Sequence, residues 1–286
     1  MAHPDIVYFN TQYLSKADVK ISPDDRGFLF ADGVYEVIRA YKGQFFRMDL
    51  HLKRLARSLR ELKIDGPSMG SIAEISDMLI QRNNLKDSDA AIYIQITRGA
   101  APRKHAFPKS APSPTVYLNA YTIQPPVEAW EKGAKAITTP DIRWTRCDIK
   151  SVSLLPNVMA SQAAAEAGAK DAIFIRDGFV TEGAHTNVCA VFNGHLQTHP
   201  TNNYILPGVT REVVLSLCAK LNLPVNETPI PAKSLPRADE IMLLGTSTEV
   251  MPIVQVDNWQ TGNGKPGPIT RKLQKAFRQL RECSAQ

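Results

Sequence analysis

The chain of 286 residues is 43% hydrophobic and 22% charged, which leaves room for about two domains and a core that needs no disulfide staples. Its net charge of +6, from 34 basic and 28 acidic residues, is spread along the sequence, which argues against the basic stripe of a nucleic-acid binder. MAHPDIVYFN has no basic n-region or apolar h-region, no apolar run reaches bilayer length, and Cys147, Cys189, Cys218 and Cys283 form neither a C-x-x-C pair nor a zinc pattern, so the expectation is a reduced, cytoplasmic protein with no metal, membrane or nucleic-acid partner.

In chain order, IVYFN (6–10) and VYEVIRAY (34–41) read as strands from their β-branched and aromatic content. The turn signal KGQ (42–44) makes a hairpin of 34–41 and 44–48. Asp49 is placed to cap a helix whose stripe is Leu52, Leu55, Leu59 and Leu62. A second helix is expected over about 70–83, and strands over 90–99 and 114–123. IQPPVEAWEKG (123–133) carries paired prolines and loses periodicity, so it reads as a linker between a small N-terminal α/β domain (1–122) and a larger one (134–286). Strands are then expected near 134–139, 171–176, 187–192, 240–245 and 253–257, and helices near 156–167, 210–221 and 268–282. The class is α/β, with mixed α+β character. Arg271, Lys275 and Arg278 fall on the polar face of the last helix, a solvated surface.

No dinucleotide, Walker, zinc-protease or serine-hydrolase motif is present. PGVTREVV (207–214) runs a Pro-Gly turn into a helix with Thr210 in its first turn, a place where backbone N–H groups and a hydroxyl suit an anion. GTSTEV (245–250) ends an apolar strand in three hydroxyls, a second surface of that kind. His51 and Arg54 lie i, i+3 on the leucine helix, off its stripe. RGAAPRKHAF (98–107) gathers Arg98, Arg103, Lys104 and His105 in a loop suited to carboxylate capture. Each of these, taken alone, also fits ordinary punctuation or a solvated patch. Lys150 in TRCDIKSVSLLPN and Glu182 in VTEGAHTNV, read as a turn before a strand, are unremarkable by themselves, although a desolvated lysine becomes nucleophilic towards carbonyls.

Taken together, the segments resemble the branched-chain and D-amino-acid aminotransferase family, fold type IV among pyridoxal-phosphate enzymes. The family signature is matched by Glu182, Ala184, Asn187 and Val188, then Leu196-Gln197-Thr198, then Leu206, Gly208, Val209 and Arg211. It departs at Cys189, where an aromatic residue is preferred. DRGFLFADGVYEV (25–37), RADEIMLLGTSTEVMPIVQVD (237–257) and TRKLQKAF (270–277) extend the likeness over nearly the whole chain.

The resemblance implies a two-domain fold with pyridoxal 5′-phosphate between the domains. In it, Lys150 is similar to the lysine that carries the cofactor as a Schiff base and shuttles the proton. Glu182 is similar to the acid paired with the pyridine nitrogen, and Arg54 to the phosphate arginine. Thr210, the Val209 backbone and Thr246 match the rest of the phosphate cup, and His51 a histidine beside it. Arg103 and His105, with Tyr35, match the trap for a substrate α-carboxylate in the D-amino-acid branch, where the loop comes from the neighbouring subunit of a homodimer. The expected partners are thus a small amino acid and a 2-oxo acid such as 2-oxoglutarate or pyruvate. Val37 favours the D-amino-acid branch over the branched-chain one, while Arg39 points the other way. A branched-chain L-aminotransferase, an (R)-amine transaminase and an aminodeoxychorismate lyase share the fold and stay open. Ala184, His185 and Gly245 stand where hydroxyls are usual around the cofactor.

Overall fold

The computed structural model describes residues 5–283; the outermost residues of the N-terminal stretch and of the expected domains lie outside the described residues. The chain divides into two compact units. One runs up to Gln124 and takes back Ile149–Ser153; the other comprises Pro125–Asp148 and Leu154–Cys283. Lys150 therefore belongs to the first unit, whereas the sequence places it within a continuous second domain over 134–286.

The first unit contains β1 (Ile6–Phe9), β2 (Gln12–Ser15), α1 (Arg26–Phe30), β3 (Gly33–Tyr41), β4 (Gln44–Phe45), α2 (Met48–Leu62), α3 (Met69–Arg82), β5 (Ala90–Thr97) and β6 (Thr115–Thr122). Its six strands form an antiparallel sheet in the order β2-β1-β6-β5-β3-β4. Alternate residues of β3, among them Val34, Ile38 and Ala40, join Ile92 and Ile94 of β5 in a core with Leu55, Leu59, Ile72 and Leu79 of the helices. Burial of these aliphatic side chains is the main force holding the helices to the sheet, at roughly 1.5–3 kcal/mol each.

The β3–β4 hairpin is shorter than expected. Its second strand stops at Phe45, the chain turns left-handed at Arg47 (φ 54°), and α2 starts at Met48 with no side-chain cap. Asp49 is inside the first turn rather than at the cap, where its charge still favours the positive end of the helix. Along the leucine stripe only Leu55 and Leu59 are fully buried; Leu52 and Leu62 pack at the margin. The short α1 has no apolar period to announce it and is set by Asp25, whose Oδ1 accepts from the Gly27 N–H at 2.8 Å.

Ile149–Ser153 runs beside the start of β3. The Tyr35 N–H donates to the Lys150 carbonyl at 3.0 Å, and the Val152 N–H to the Gly33 carbonyl at 3.1 Å. Backbone pairing, independent of the lysine side chain, thus fixes where Lys150 stands.

The second unit contains α4 (Val127–Lys132), β7 (Ala134–Pro140), α5 (Leu155–Glu166), β8 (Asp171–Arg176), β9 (Phe179–Gly183), β10 (Asn187–Phe192), β11 (His195–Thr198), α6 (Val209–Lys220), β12 (Val225–Glu227), β13 (Ile230–Pro231), β14 (Glu240–Gly245), β15 (Glu249–Val256), β16 (Trp259–Gln260) and α7 (Pro268–Cys283). Ten strands follow the order β12-β11-β10-β14-β15-β7-β8-β9-β13, with β16 on β15. A further pairing of β10 with β9 closes the path into a ring. The closing contact is Asn187 opposite Glu182, so the topology itself brings these two side chains together.

Three elements differ from expectation. The linker segment 123–133 holds α4, seated after the paired prolines and tied down by Trp130, whose Nε1 donates to the Thr248 carbonyl at 2.8 Å. Glu182 lies within strand β9 and not in a turn; Asp177 and Gly178, both at positive φ, form the tight turn joining β8 to β9. Strand β15 begins at Glu249, four residues early, because Pro252 sits inside it opposite Met242 and does not mark its start. No helix of the described residues is long and apolar enough to cross a membrane.

Candidate active site

On β3, side-chain alternation sends Glu36 to the helix-covered face and Tyr35 to the other. Glu36 is wholly buried and meets two residues that α2 presents one turn apart. Arg54 donates Nε to Glu36 Oε2 at 2.9 Å and Nη2 to Oε1 at 2.7 Å, a bidentate fork. His51 Nδ1 lies 3.0 Å from Glu36 Oε1. Burial alone would raise the Glu36 carboxyl; the Arg54 guanidinium overrides it and holds the group well below the usual carboxylate range. His51 is shifted down, first by burial and further by the charges of Arg54 and Lys150, against the pull of Glu36. A neutral ring that donates Nδ1–H to Glu36 meets these conditions.

Lys150 extends its Nζ over the Tyr35 ring, 4.2 Å from the centroid. Arg103 and His105 sit elsewhere in the unit, on the exposed loop after β5. Arg103 lies 5.1 Å from the centre of the Phe30 ring and His105 5.4 Å from it. The loop backbone is clamped by Arg26, which donates to the carbonyls of Lys104 at 2.6 Å and His105 at 3.3 Å while Asp32 fixes its Nε at 2.8 Å. The structure thus joins Lys150 to Tyr35 and Arg103 to His105 as two clusters; among the described residues no hydrogen bond or ring contact links them.

In the second unit, Glu182 is buried at the ring closure. Oε1 accepts from Arg143 Nη1; Oε2 accepts from Asn187 Nδ2 at 3.1 Å and from the Leu206 N–H at 2.9 Å. Burial pushes the Glu182 carboxyl up to about 7, against the opposing charge of Arg143. From Leu206 the chain passes through Pro207 to Gly208, the N-cap of α6, which offers no side chain to the helix end. The first-turn N–H groups of Val209 and Thr210 therefore have no intrahelical acceptor. The Thr210 hydroxyl is buried beside them, and Thr246 lies half-buried in the β14–β15 turn. Gly208 is a steric requirement: a Cβ there would meet Asn187 Oδ1 at 1.9 Å, and Asn187 is held in place by Glu182 and the Leu206 carbonyl.

The class IV amino-transferase family model matches residues 33–256. The chain is 42% identical to a D-alanine aminotransferase of Staphylococcus haemolyticus, over 95% of this chain and 96% of that one. It is 41% identical to one of Bacillus licheniformis, over 95% of each. The chain belongs to the class IV aminotransferases. Among solved structures, a branched-chain amino acid aminotransferase of Escherichia coli superposes with a TM-score of 0.89 at 28% identity, covering 96% of this chain and 94% of that one. A second branched-chain enzyme, from T.th. and crystallised with pyridoxamine 5′-phosphate, gives 0.89 at 24% identity over 98% and 94%. The fold is thus the mixed α/β fold type IV expected from the sequence.

The family's cofactor is pyridoxal phosphate, and each unit carries groups of the kind it needs. Within the second unit, the uncapped α6 N-terminus with its hydroxyl suits a phosphate and the buried Glu182 carboxyl suits a ring nitrogen; within the first, Lys150 supplies a primary amine. Gly208→Ala tests the cradle without touching a charged group. The added methyl has to displace Asn187 from Glu182 and the Leu206 carbonyl, so, with α6 read as the phosphate site, pyridoxal-phosphate affinity measured by fluorescence titration is expected to fall roughly 5- to 150-fold, the ~1–3 kcal/mol of leaving a buried polar group unsatisfied.

Glu36, Arg143 and Asp141 carry much of this geometry and received no role from the sequence. For Glu36 a signal existed, a carboxylate at an inward position of an apolar strand. For Asp141 and Arg143 none did, because they follow β7 in irregular chain with no periodicity.

Proposed function

We propose that the chain is a D-amino-acid transaminase that moves the amino group of a D-alanine-like donor to a 2-oxo acid such as 2-oxoglutarate or pyruvate. The observation that carries this reading is the 42% identity with D-alanine aminotransferases over almost the whole length. Arg39, the residue that leaned towards the branched-chain reading, is 1% exposed, ion-paired to Asp89 at 3.2 Å and stacked on Tyr41. A residue so committed to packing gives the branched-chain alternative little support.

When bound, pyridoxal phosphate supplies an electron sink for the carbanion at the substrate Cα. Lys150 would hold the cofactor through Nζ until the donor's amine displaces it, and the freed amine would carry the proton from Cα of the donor to C4′ of the cofactor and, in the second half-reaction, back to Cα of the acceptor. Glu182 offers a carboxylate to the pyridine N–H and so keeps that nitrogen protonated. Arg54 binds phosphate together with the N–H groups of Val209 and Thr210 and the hydroxyls of Thr210 and Thr246. His51, neutral beside Arg54, adds a donor or acceptor without a second charge. Tyr35, Arg103 and His105 bind the substrate carboxylate, with the loop of Arg103 supplied by the second subunit of a homodimer. The exposed apolar side chains of Leu155, Val158 and Met159 on α5 support a second copy as partner. Four free thiols are consistent with a cytoplasmic setting.

A panel of D-alanine, L-leucine and (R)-phenylethylamine with 2-oxoglutarate tests the assignment. Turnover confined to the D-amino acid is expected; preference for L-leucine or the amine overturns it, and pyruvate release from aminodeoxychorismate without an acceptor would make the chain a lyase. Arg103→Ala is expected to raise KM for D-alanine roughly 10- to 150-fold, with a smaller change in kcat, because a charge-assisted contact is worth about 1.5–3 kcal/mol. An unchanged KM would remove Arg103 from the carboxylate trap.

A further inference from the structure

The two oxygens of Glu182 are held differently. Oε2 has two donors, Asn187 Nδ2 and the Leu206 N–H, which fill both its lone pairs. Oε1 has one donor, Arg143 Nη1, and keeps one acceptor direction open. Arg143 is itself immobilised. Its Nε and Nη2 donate to Asp141 Oδ1 and Oδ2, each at 2.8 Å, and its guanidinium lies 4.4 Å from the centre of the Phe174 ring. Asp141 is fixed in turn by the Thr181 hydroxyl at 3.0 Å, by Arg176 at 3.0 Å, and by its own N–H, which donates to the Ile175 carbonyl at 2.8 Å.

We infer that Arg143, anchored by Asp141, is a positioning residue that favours the ionised form of Glu182 and leaves one side of Oε1 free for the pyridine nitrogen of the cofactor. The inference rests on the reading of Glu182 as the partner of that nitrogen. The charges facing Glu182 are Arg143 and Asp141 from the chain after β7, with Arg176 of β8 behind Asp141. Two carboxylates and two guanidiniums balance only when Glu182 is an anion. The neighbouring Cys147 thiol is pushed by burial to about 11 and stays neutral. Burial works against the anion and Arg143 works for it; without the guanidinium, burial and the Asp141 charge act together, and Glu182 takes up a proton. A protonated Glu182 no longer favours a proton on the ring nitrogen.

The test follows the visible absorption band of the bound cofactor, which moves with the charge on its ring nitrogen, as a function of pH in the holoenzyme. Glu182→Gln defines the band for a neutral partner. Arg143→Gln is expected to hold that band at neutral pH and to raise the transition midpoint by at least one pH unit, tenfold in the ionisation constant. Arg143→Lys, which keeps the cation, is expected to return the band towards the native position. Arg143→Met, which removes the cation and keeps an unbranched side chain, is expected to raise the midpoint in the same way and decides the matter if Arg143→Gln does not fold. A shifted band in Glu182→Gln with native behaviour in Arg143→Gln or Arg143→Met overturns the inference. A native band in Glu182→Gln overturns instead the reading of Glu182 on which it rests.

Discussion

Lys150→Ala is expected to abolish transamination while leaving the fold intact. General acid–base catalysis contributes about 10²–10⁴-fold by itself, and in the proposed function the same amine is also the covalent handle for the cofactor. The loss in kcat with D-alanine and 2-oxoglutarate is therefore expected to exceed roughly 10⁴-fold. The fold survives because the backbone holds this position. The Lys150 carbonyl accepts from the Tyr35 N–H, and its N–H donates to Ser58 Oγ at 3.3 Å. The side chain adds one contact, the cation over the Tyr35 ring, worth about 0.5–2 kcal/mol. The thermal midpoint of the cofactor-free protein is thus expected to drop by only a few degrees. Borohydride treatment of the native holoenzyme should leave cofactor mass on the peptide containing Lys150. Full turnover by the alanine variant, or cofactor mass on another lysine, removes Lys150 from the mechanism.

How much of this was legible depended on whether a residue's partners lie close in sequence. Leu55 and Leu59 announce α2 through their spacing, and the apolar strands β5, β10 and β14 announce themselves by composition. The Asp177-Gly178 turn was equally local, but its Asp-Gly signal went unread, which put Glu182 in a turn rather than in β9. Asp49 misled because the real boundary of α2 is a left-handed Arg47, and no rule of composition places an arginine there. The site residues are another matter. Lys150 is 115 positions from Tyr35, beneath it in the structure, and Glu182 meets Arg143 only because β7, β8 and β9 neighbour one another in the closed sheet. Long-range pairing of this kind leaves no periodic trace. The sequence singled out Lys150, Glu182 and Arg54 as candidates through the order of several blocks matched to a family. It missed Glu36, Asp141 and Arg143 because they act on the residues that match.

Glu36→Ala is expected to be among the most destabilising single changes in the first unit. The carboxylate is the buried counter-ion of Arg54 and the acceptor for His51. Breaking a buried ion pair from one side costs about 3–5 kcal/mol, because the surviving charge loses its compensation. Equilibrium urea unfolding of the cofactor-free protein measures that difference directly, and Glu36→Gln, which keeps the volume, separates the charge from the cavity. The pH dependence carries the same sign from both partners. The Glu36 carboxyl is held below its unfolded value, so its stabilisation is complete above the ordinary carboxylate range and is lost as the pH falls below it. His51 is also shifted down, so the unfolded chain binds a proton there below about pH 6.5 that the native chain refuses, and stability again falls with pH. Acid should therefore weaken the native protein in two overlapping steps, the lower of which is missing in Glu36→Ala. A variant within about 1 kcal/mol of the native protein would mean that Arg54 finds equal compensation elsewhere. Arg54 would then not depend on Glu36 for its place, which would have to be set from α2 alone.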